Sequence, residues 1–293
     1  IAGFADGLLA HAEEPAIAAA DCPGPLIDIC GTGGDKLGLF NISTAAMFVV
    51  AACGACVVKH GNRGITSRSG GADVLEALGV AVELAPARAR DVLLRCGAVF
   101  LFAPRYHPAF AAVAPARREL AARGQSSIFN ILGPLLNPAR PEFQMTGIYD
   151  RQLLETYARL FRLLGRTSAW AVHGEAGDGR GMDEVSTCGA TAVAALSGGE
   201  VLGFQLDPGA LRVPLARVDQ LAGGEASENA AIIHGVLSGG GSEPQRDIVR
   251  LNAAAALTVC GVAAEIAHGL ELAERALRDR AALNVLRELQ RAG

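Results

Sequence analysis

The 293-residue sequence lacks several features that would each define a class of protein. It has no run of more than two basic residues and a formal net charge of −4, so it lacks the basic surface that sequence-independent nucleic-acid binding requires. No apolar run reaches the length of a membrane span, and the N-terminal IAGFADGLLAHAEE is acidic where a signal peptide would be basic. We therefore expect a soluble, cytoplasmic protein with no nucleic-acid or membrane partner.

The seven cysteines give little indication of a metal or redox site. Only Cys53 and Cys56 form a C-x-x-C motif, and the sequence has no second pair or spaced histidine that would complete a zinc site. Free cysteine behaves as a small hydrophobic residue, so we expect these side chains to lie in the core.

Glycine is abundant, and its 36 residues occur in clusters rather than in a repeat, which indicates loops with special roles. With 51% hydrophobic residues, the chain can form one large α/β domain or two unequal lobes. Short apolar runs alternate with helical patterns from residue 26 onwards, which predicts an α/β fold with a mostly parallel central sheet flanked by helices. The predicted strands are 26–30, 55–61, 80–84, 98–103 and 168–174, and the predicted helices are 41–54, 71–79, 87–97, 151–164, 243–261 and 263–291.

One helical segment precedes this alternation and a second interrupts it. Residues 1–20 and 104–126 have similar helical composition, which predicts a small helical lobe beside an α/β domain formed by 21–103 and 127–293. The helical pattern has already begun at Ile1 without a preceding cap, so we expect further residues before it in the intact protein.

The segment DICGTGGDKLGLFNISTAAMF, residues 28–48, joins a predicted strand to a predicted helix. Its glycines bring backbone N–H groups close to the positive end of that helix, which favours an anion such as a phosphate. The spacing is neither G-x-G-x-x-G nor that of a P-loop, so the glycines alone do not indicate a nucleotide. A tight turn capped by Asn41 or Ser43 explains this segment equally well.

Two further segments favour the anion site. KHGNRGITSRSGG, residues 59–71, combines cations, hydroxyls and glycines in a second loop suited to a polyanion. In GMDEVS, Asp183 stands beside Glu184, and such paired carboxylates next to a pyrophosphate are typical ligands of Mg²⁺. A solvated acidic turn is the alternative for the pair, and a structural hydrogen bond is the alternative for His60. Together the segments predict one ligand with two phosphate groups and a metal.

In order and approximate spacing, these segments resemble the anthranilate phosphoribosyltransferase family of tryptophan biosynthesis. The matching motifs are GTGGD, FNIST, KHGNR, S-G-x-ADVLEALG, RREL, FNILGPLLNP and G-x-DE. The resemblance implies a fold of the nucleoside phosphorylase/phosphoribosyltransferase type, a homodimer, and an active site between the two lobes. It also implies Mg²⁺ as the cofactor, phosphoribosyl pyrophosphate (PRPP) as the donor, anthranilate as the acceptor, and release of pyrophosphate.

The resemblance assigns residues to each part of that site and implies catalysis by positioning and electrostatic stabilisation, without a covalent catalyst. The implied donor-binding residues are Gly31, Gly33, Gly34, Asp35, Asn41, Ser43, Thr44, Lys59, Gly61, Asn62, Arg63 and Ser67. The implied acceptor-binding residues are Gly31, His60, Asn62 and Arg117. The implied metal ligands are Ser43, Asp183 and Glu184.

Three positions depart from the family's pattern. Leu39 stands where a hydroxyl usually helps to hold phosphate, and Gly71 replaces another position that commonly carries a hydroxyl. Between RREL and IFN the chain has seven residues, 121–127, where the family usually has four. This insertion leaves open a related transferase with another aromatic acceptor. A non-catalytic relative that binds nucleotides or nucleic acid is the other alternative.

Overall fold

An eight-stranded sheet with helices on both faces organises the molecule. The computed structural model describes residues 1–64, 68–110, 113, 119–120, 123 and 128–293. Its strands are β1 (Leu26–Gly31), β2 (Cys56–Gly61), β3 (Ala98–Phe102), β4 (Phe143–Gly147), β5 (Ser168–Glu175), β6 (Gly181–Met182), β7 (Thr191–Ser197) and β8 (Glu200–Leu206). The helices among the described residues are α1 (Ala2–Leu9), α2 (Ile42–Ala52), α3 (Gly71–Ala77), α4 (Pro86–Cys96), α5 (Ala103–Tyr106), α6 (Phe129–Leu132), α7 (Leu154–Leu163), α8 (Ala226–Leu237), α9 (Glu243–Val259), α10 (Ile266–Arg278) and α11 (Ala281–Ala292).

The sheet is mostly parallel, as predicted. Its strand order is β3-β2-β1-β4-β5-β7-β8, and β6 pairs with β5 outside that path. The first five strands are parallel, whereas β7 and β8 form an antiparallel hairpin at one edge. Strands buried on both faces have continuous apolar sequences, and β3, AVFLF, is buried along its whole length. The predicted α/β fold class is therefore confirmed.

Alternating side chains of β5 contribute to two cores, one on each face of the sheet. Trp170 and Val172 belong to the larger core, which also contains nearly all of α2. Ala169 and Ala171 belong to the smaller core with Tyr157 of α7. Because α2 is buried against the larger core, its N-terminus is held at a fixed position beside the carboxyl end of β1.

Helix α1 packs into the smaller core through Ala5 and Leu9. The ring of Phe4 also meets Phe129 edge to face, with ring centroids 5.9 Å apart. Most of residues 107–126 lie outside the described residues, so the two-lobe division stays a prediction. No helix in the described part of the chain is long and apolar enough to cross a membrane.

The predicted strand at 80–84 is wrong. Val80, Val82 and Leu84 are buried and alternate with exposed residues, which is the pattern that suggested a strand. The segment nevertheless belongs to no strand of the sheet. Alternation of apolar and polar residues indicates which side chains are buried. A strand also needs a neighbouring strand with which its backbone can bond, and the alternation does not indicate whether one is present.

Two predicted helices are also corrected. The helical segment predicted at 104–126 is interrupted after Tyr106, because the residue before Pro108 is disfavoured in the helical conformation and His107 has φ −122° and ψ 68°. Beyond the interruption, the described residues Phe110, Val113, Glu119 and Leu120 are helical. The helix predicted over 263–291 is two helices, α10 and α11. Arg280 separates them in the left-handed conformation with φ 57°, in a stretch that has no glycine or proline to mark the break.

Candidate active site

The loops that follow the parallel strands meet at one edge of the sheet. Gly31 at the end of β1 is paired with Gly147 at the end of β4, and Gly61 at the end of β2 is paired with Phe102. The carboxyl ends of parallel strands share an edge, where ligands of open α/β sheets bind. The structure therefore brings the GTGGD and KHGNR segments together.

The acidic segment 183–184 lies directly against this edge. The backbone N–H of Gly33 donates a hydrogen bond to Asp183 Oδ2 at 2.7 Å. A Cβ atom at Gly31 would lie 2.4 Å from the same oxygen, and a Cβ atom at Gly147 would lie 1.6 Å from the Asp183 carbonyl oxygen. Because Gly31 and Gly147 have no side chains, there is space for Asp183 between them. The DE pair and the GTGGD loop therefore form one site.

Glu184 faces the N-terminus of α2. The backbone N–H of Ser43 donates to Glu184 Oε1 at 3.1 Å. The buried ammonium of Lys59 donates to Ser43 Oγ at 3.1 Å and to the carbonyl oxygen of Ile29 at 2.5 Å. Three of the implied residues, Ser43, Lys59 and Glu184, are thus in contact, and the positive end of α2 points at the carboxylate.

The two acids lie in surroundings that disfavour their charge. Burial, followed by the negative charge of Asp35, raises the pKa of Asp183 to about 7. Burial and the charge of Asp183 raise the pKa of Glu184 well above its ordinary value, although Lys59 and the Ser43 N–H act in the opposite direction. Three carboxylates with one nearby lysine leave excess negative charge, which a bound cation would offset.

The donor atoms suit Mg²⁺. Among the described residues, no group of three or more His, Cys, Asp or Glu side chains could hold a metal by itself, so the zinc possibility for Cys53 and Cys56 finds no support there. Asp183, Glu184 and the Ser43 hydroxyl offer hard oxygen atoms, which would fill only part of an octahedron. Mg²⁺ commonly takes one or two carboxylates and completes its shell with water and substrate phosphates.

The GTGGD loop owes its path to backbone conformations that favour glycine. Gly33 and Gly34 have φ angles of 68° and 93°, in the left-handed region. Lys36 adopts φ 57° as well, and Asp35 Oδ1 accepts a hydrogen bond from the Leu37 N–H at 3.1 Å. The loop therefore turns sharply after β1 before it enters α2.

Asn41 joins three separate segments. Its Nδ2 donates to the carbonyl oxygen of Ser69 at 3.1 Å, and its Oδ1 accepts from Asn229 Nδ2 of α8 at 2.9 Å. Thr44, in the first turn of α2, is almost fully buried. The side chain of Asn41 thus holds the two loops together, and its implied contact with the donor stays a prediction.

The Arg63 side chain points towards α3. It forms an ion pair with Glu76, a second with Glu83 at 3.3 Å, and its guanidinium carbon lies 5.2 Å from the centroid of the Phe102 ring. Asn62 Oδ1 accepts from the Arg63 N–H at 2.8 Å. The implied substrate contacts of Asn62 and Arg63 stay predictions, and Ser67 and Arg117 lie outside the described residues.

His60 is buried beside a second histidine. Its ring centroid is 5.2 Å from that of His107, and His107 Nε2 lies 2.7 Å from the carbonyl oxygen of Leu136. Burial, and secondly the neighbouring His107, lowers the pKa of His60 to about 3, so the ring is neutral at neutral pH. Within the described part of the chain, His60 Nε2 has no hydrogen-bond partner.

Below His60 lies a fully buried aspartate that the sequence analysis did not identify. Asp28 Oδ1 accepts from the His60 N–H at 3.3 Å, and Asp28 Oδ2 accepts from Asn137 Nδ2 at 2.9 Å. Asn137 Nδ2 also donates to the carbonyl oxygen of Val58 at 2.8 Å. The FNILGPLLNP segment is thereby joined to β1 and β2.

Asn252 of α9 also escaped the sequence analysis. It is fully buried, accepts from the Val185 N–H at 2.9 Å and donates to the Val185 carbonyl oxygen at 2.8 Å. It therefore fixes the backbone immediately after the acid pair. The available signal was a single polar residue within the apolar helical run RLNAAAAL.

A match to a known family model defines the class of protein to which the chain belongs. Residues 23–283 match the family model described as "Glycosyl transferase family, a/b domain". This match covers most of the chain, including both loops and the acid pair.

Relatives then define the family. An anthranilate phosphoribosyltransferase of Rhodopseudomonas palustris is 45% identical over 269 residues, which are 92% of this chain and 77% of that protein. The enzyme of Thermus thermophilus superimposes with a TM-score of 0.89 at 36% identity, covering 99% of this chain and 83% of the other. The Saccharomyces cerevisiae enzyme "in complex with PRPP and Mg" gives 0.87 at 29% identity, covering 99% and 78%, and the yeast enzyme also has a structure with 4-fluoroanthranilate. The chain belongs to the anthranilate phosphoribosyltransferase family.

Proposed function

We propose that this protein transfers the phosphoribosyl group from PRPP to the amino group of anthranilate, forming N-(5-phosphoribosyl)anthranilate and pyrophosphate. The observation that carries the proposal is the contact of Asp183 and Glu184 with the GTGGD loop and the first turn of α2. In a chain of this family, such an arrangement suits a diphosphate with a divalent cation. The yeast relative's complex with PRPP and Mg supports this donor and this metal.

Asp183, Glu184 and Ser43 are the residues that would hold Mg²⁺. When bound, the metal offsets the charge that builds up on pyrophosphate as the bond to C1 of the ribose breaks. Lys59 holds Ser43 Oγ in place and contributes a second positive charge to the same region. The Gly34 N–H of the loop would add a donor that needs no reorientation during the reaction, whereas the Gly33 N–H is already bonded to Asp183.

The acceptor side requires positioning rather than a nucleophilic residue of the enzyme. Anthranilate itself supplies the attacking nitrogen, so no covalent catalyst is needed. The neutral His60 and the amide of Asn62 lie at the end of β2, where they can meet the acceptor without repelling or neutralising it. Arg117 remains the proposed partner of the acceptor carboxylate, because a guanidinium forms paired hydrogen bonds with that group. Orientation of this kind contributes several kcal/mol to catalysis.

Pyrophosphate release tests the function directly. The protein is mixed with PRPP, Mg²⁺ and anthranilate. The release of pyrophosphate and the loss of anthranilate, followed by its fluorescence, are both measured. We expect turnover that requires all three components. Turnover with another aromatic amine but none with anthranilate would assign a different acceptor, and binding of PRPP without any turnover would contradict an enzymatic role.

The homodimer, the cytoplasmic location and the two-lobe division belong to the same proposal. The homodimer rests on the family resemblance, the cytoplasmic location on the composition, and the two-lobe division on the sequence pattern together with the resemblance. Sedimentation analysis checks the dimer, for which we expect twice the mass of the chain.

A further inference from the structure

One carboxylate oxygen of Asp73 connects two points of the loop that follows β2. Asp73 Oδ2 accepts a hydrogen bond from the Gly64 N–H at 2.7 Å and another from the Gly70 N–H at 2.8 Å. The bond from Gly70 is the ordinary one between the N-cap and the third residue of a helix, here α3. The bond from Gly64 has no such local role, because Gly64 lies nine residues before Asp73.

The two ends of the loop are in close contact at this point. A Cβ atom at Gly70 would lie 2.4 Å from the Gly64 nitrogen and 2.6 Å from the Asn62 carbonyl oxygen. That same oxygen accepts from the Ala72 N–H at 3.3 Å. Gly70 has an extended backbone, φ −89° and ψ 176°, so it is the lack of space that requires glycine there.

The charge of Asp73 is offset locally. Arg63 Nη1 lies 3.7 Å from Asp73 Oδ1, and the same guanidinium is held by Glu76 and stacked on Phe102. A carboxylate that contacted a diphosphate would repel it, whereas both oxygens of Asp73 face protein groups. Asp73 therefore belongs to the support of the loop and is not a ligand contact.

The position of this loop end is passed on to the rest of the site. Ser69 precedes Gly70, and its carbonyl oxygen accepts from Asn41 Nδ2 beside the first turn of α2. Asn62, two residues before Gly64, is an implied contact of both substrates. The bonds of Asp73 thus set how Asn62 and Ser69 lie relative to Ser43 and Lys59.

We propose that Asp73 is a positioning residue for donor binding. The two hydrogen bonds that its carboxylate accepts, from the N–H groups of Gly64 and Gly70, hold the ends of this loop together at the PRPP site. The inference rests on the proposed function for the identity of the donor. It assigns to Asp73 no contact with the substrate and no part in the chemical step.

Two substitutions and one control test it. Asp73→Ala removes both bonds, and Asp73→Asn keeps an oxygen that can accept them while removing the charge. Gln245→Ala is the matched control, because Gln245 occupies the corresponding position of α9 and accepts from the Ser242 N–H at 3.2 Å, and among the described residues its side chain has no second hydrogen bond. Dissociation constants for PRPP with Mg²⁺ are measured by calorimetry, and KM and kcat by pyrophosphate release.

We expect Asp73→Ala to weaken PRPP binding about 10- to 100-fold with a much smaller change in kcat. Asp73→Asn should stay within about 3-fold of the unmodified protein, since the hydrogen bonds persist. Gln245→Ala should bind PRPP normally. Unchanged binding in Asp73→Ala, an equal loss in Asp73→Asn, or an equal loss in Gln245→Ala would each overturn the proposal.

Amide hydrogen exchange in the unsubstituted protein provides a reading that needs no variant. Without any ligand, the Gly64 and Gly70 amides should exchange slowly because both are bonded to Asp73. Rapid exchange at Gly64 would overturn the inference even if Asp73→Ala failed to fold. Absence of turnover with anthranilate would count against the proposed function alone, since donor affinity and amide exchange are measured without the acceptor.

Discussion

The carboxylate of Asp183 occupies the space that a side chain at Gly31 would need. Only 2.4 Å separates Asp183 Oδ2 from the point where a Cβ atom at position 31 would stand, far less than a non-bonded contact allows. The backbone of Gly31 is ordinary β-strand, so its glycine is required by the acid opposite and not by its own conformation.

Gly31→Ala should therefore displace Asp183, the proposed metal ligand, without unfolding the sheet. The new methyl group must push Asp183 away from the Gly33 N–H, and displaced ligands typically lose about 10- to 100-fold in metal affinity. The Mg²⁺ concentration for half-maximal turnover measures this effect. Gly203→Ala is the matched control, because Gly203 also lies in a strand and a Cβ atom there would meet nothing closer than 3.9 Å. Equal Mg²⁺ requirements in the two variants would contradict the assignment.

Lys59→Met should shift the pH dependence of turnover as well as reduce it. The Lys59 charge lowers the pKa of Glu184, so without it the carboxyl stays protonated to higher pH. The acid limb of kcat/KM for PRPP should move to higher pH, and the plateau should fall roughly 100-fold because a charge at the leaving group is lost. A profile measured at one fixed, sub-saturating Mg²⁺ concentration checks both, because saturating metal would compete with the proton for Glu184. A lower plateau with the acid limb unmoved would contradict the contact with Glu184.

Asp28→Asn should change how stability depends on pH. Burial raises the pKa of Asp28 to about 6, against 3.8 for an ordinary aspartate. A carboxyl whose pKa is raised by folding adds fully to the free energy of unfolding at pH below its pKa in the unfolded chain. This contribution is lost as the pH rises through its pKa in the folded protein. The stability advantage of the unsubstituted protein over Asp28→Asn should therefore fall by about 2 kcal/mol between pH 4 and pH 7. Urea unfolding across this range measures the difference, and parallel curves would refute it.

Gly71→Ser should strengthen donor binding. A Cβ atom at Gly71 would lie 3.4 Å from the Phe100 ring, 3.7 Å from Thr44 Oγ1 and 3.8 Å from Lys59 Cε, so a small side chain fits. The added hydroxyl restores the group that the family commonly carries there, and one hydrogen bond corresponds to about a 2- to 10-fold lower KM for PRPP. Gly71→Ala adds the same carbon without the hydroxyl and should leave KM unchanged. A KM lowered equally by both variants would show that the hydroxyl is not responsible.

The strand-end loops were predictable because their signals are local. An apolar run, a glycine cluster and a helical pattern follow each other within residues 26–52, and the structure has β1, the loop and α2 in that order. The placement of Asp183 beside Gly31 was not predictable from spacing, since the two are joined only through the order of the strands. The family resemblance supplied that connection.

The residues that were missed are mainly buried asparagines. Asn137 and Asn252 hold backbone groups of distant segments, and a single sequence does not reveal which carbonyl or N–H a buried amide will meet. The break at Arg280 had no glycine or proline as a signal, and the buried alternation at 80–84 carried no information about a missing partner strand. The buried asparagines and the missing strand concern contacts between distant parts of the chain, whereas the break at Arg280 is a local backbone feature without a sequence signal.

The bond between Asn41 and Asn229 has an evolutionary consequence. Asn229 lies 188 residues further along the chain, yet its Nδ2 donates to the Oδ1 of Asn41, which directly precedes α2. A change at either position leaves a polar atom of the other without its partner, so drift at one site will be tolerated mainly when the second changes with it. Position 229, remote from the motifs that define the family, should therefore vary in concert with position 41 across its lineage.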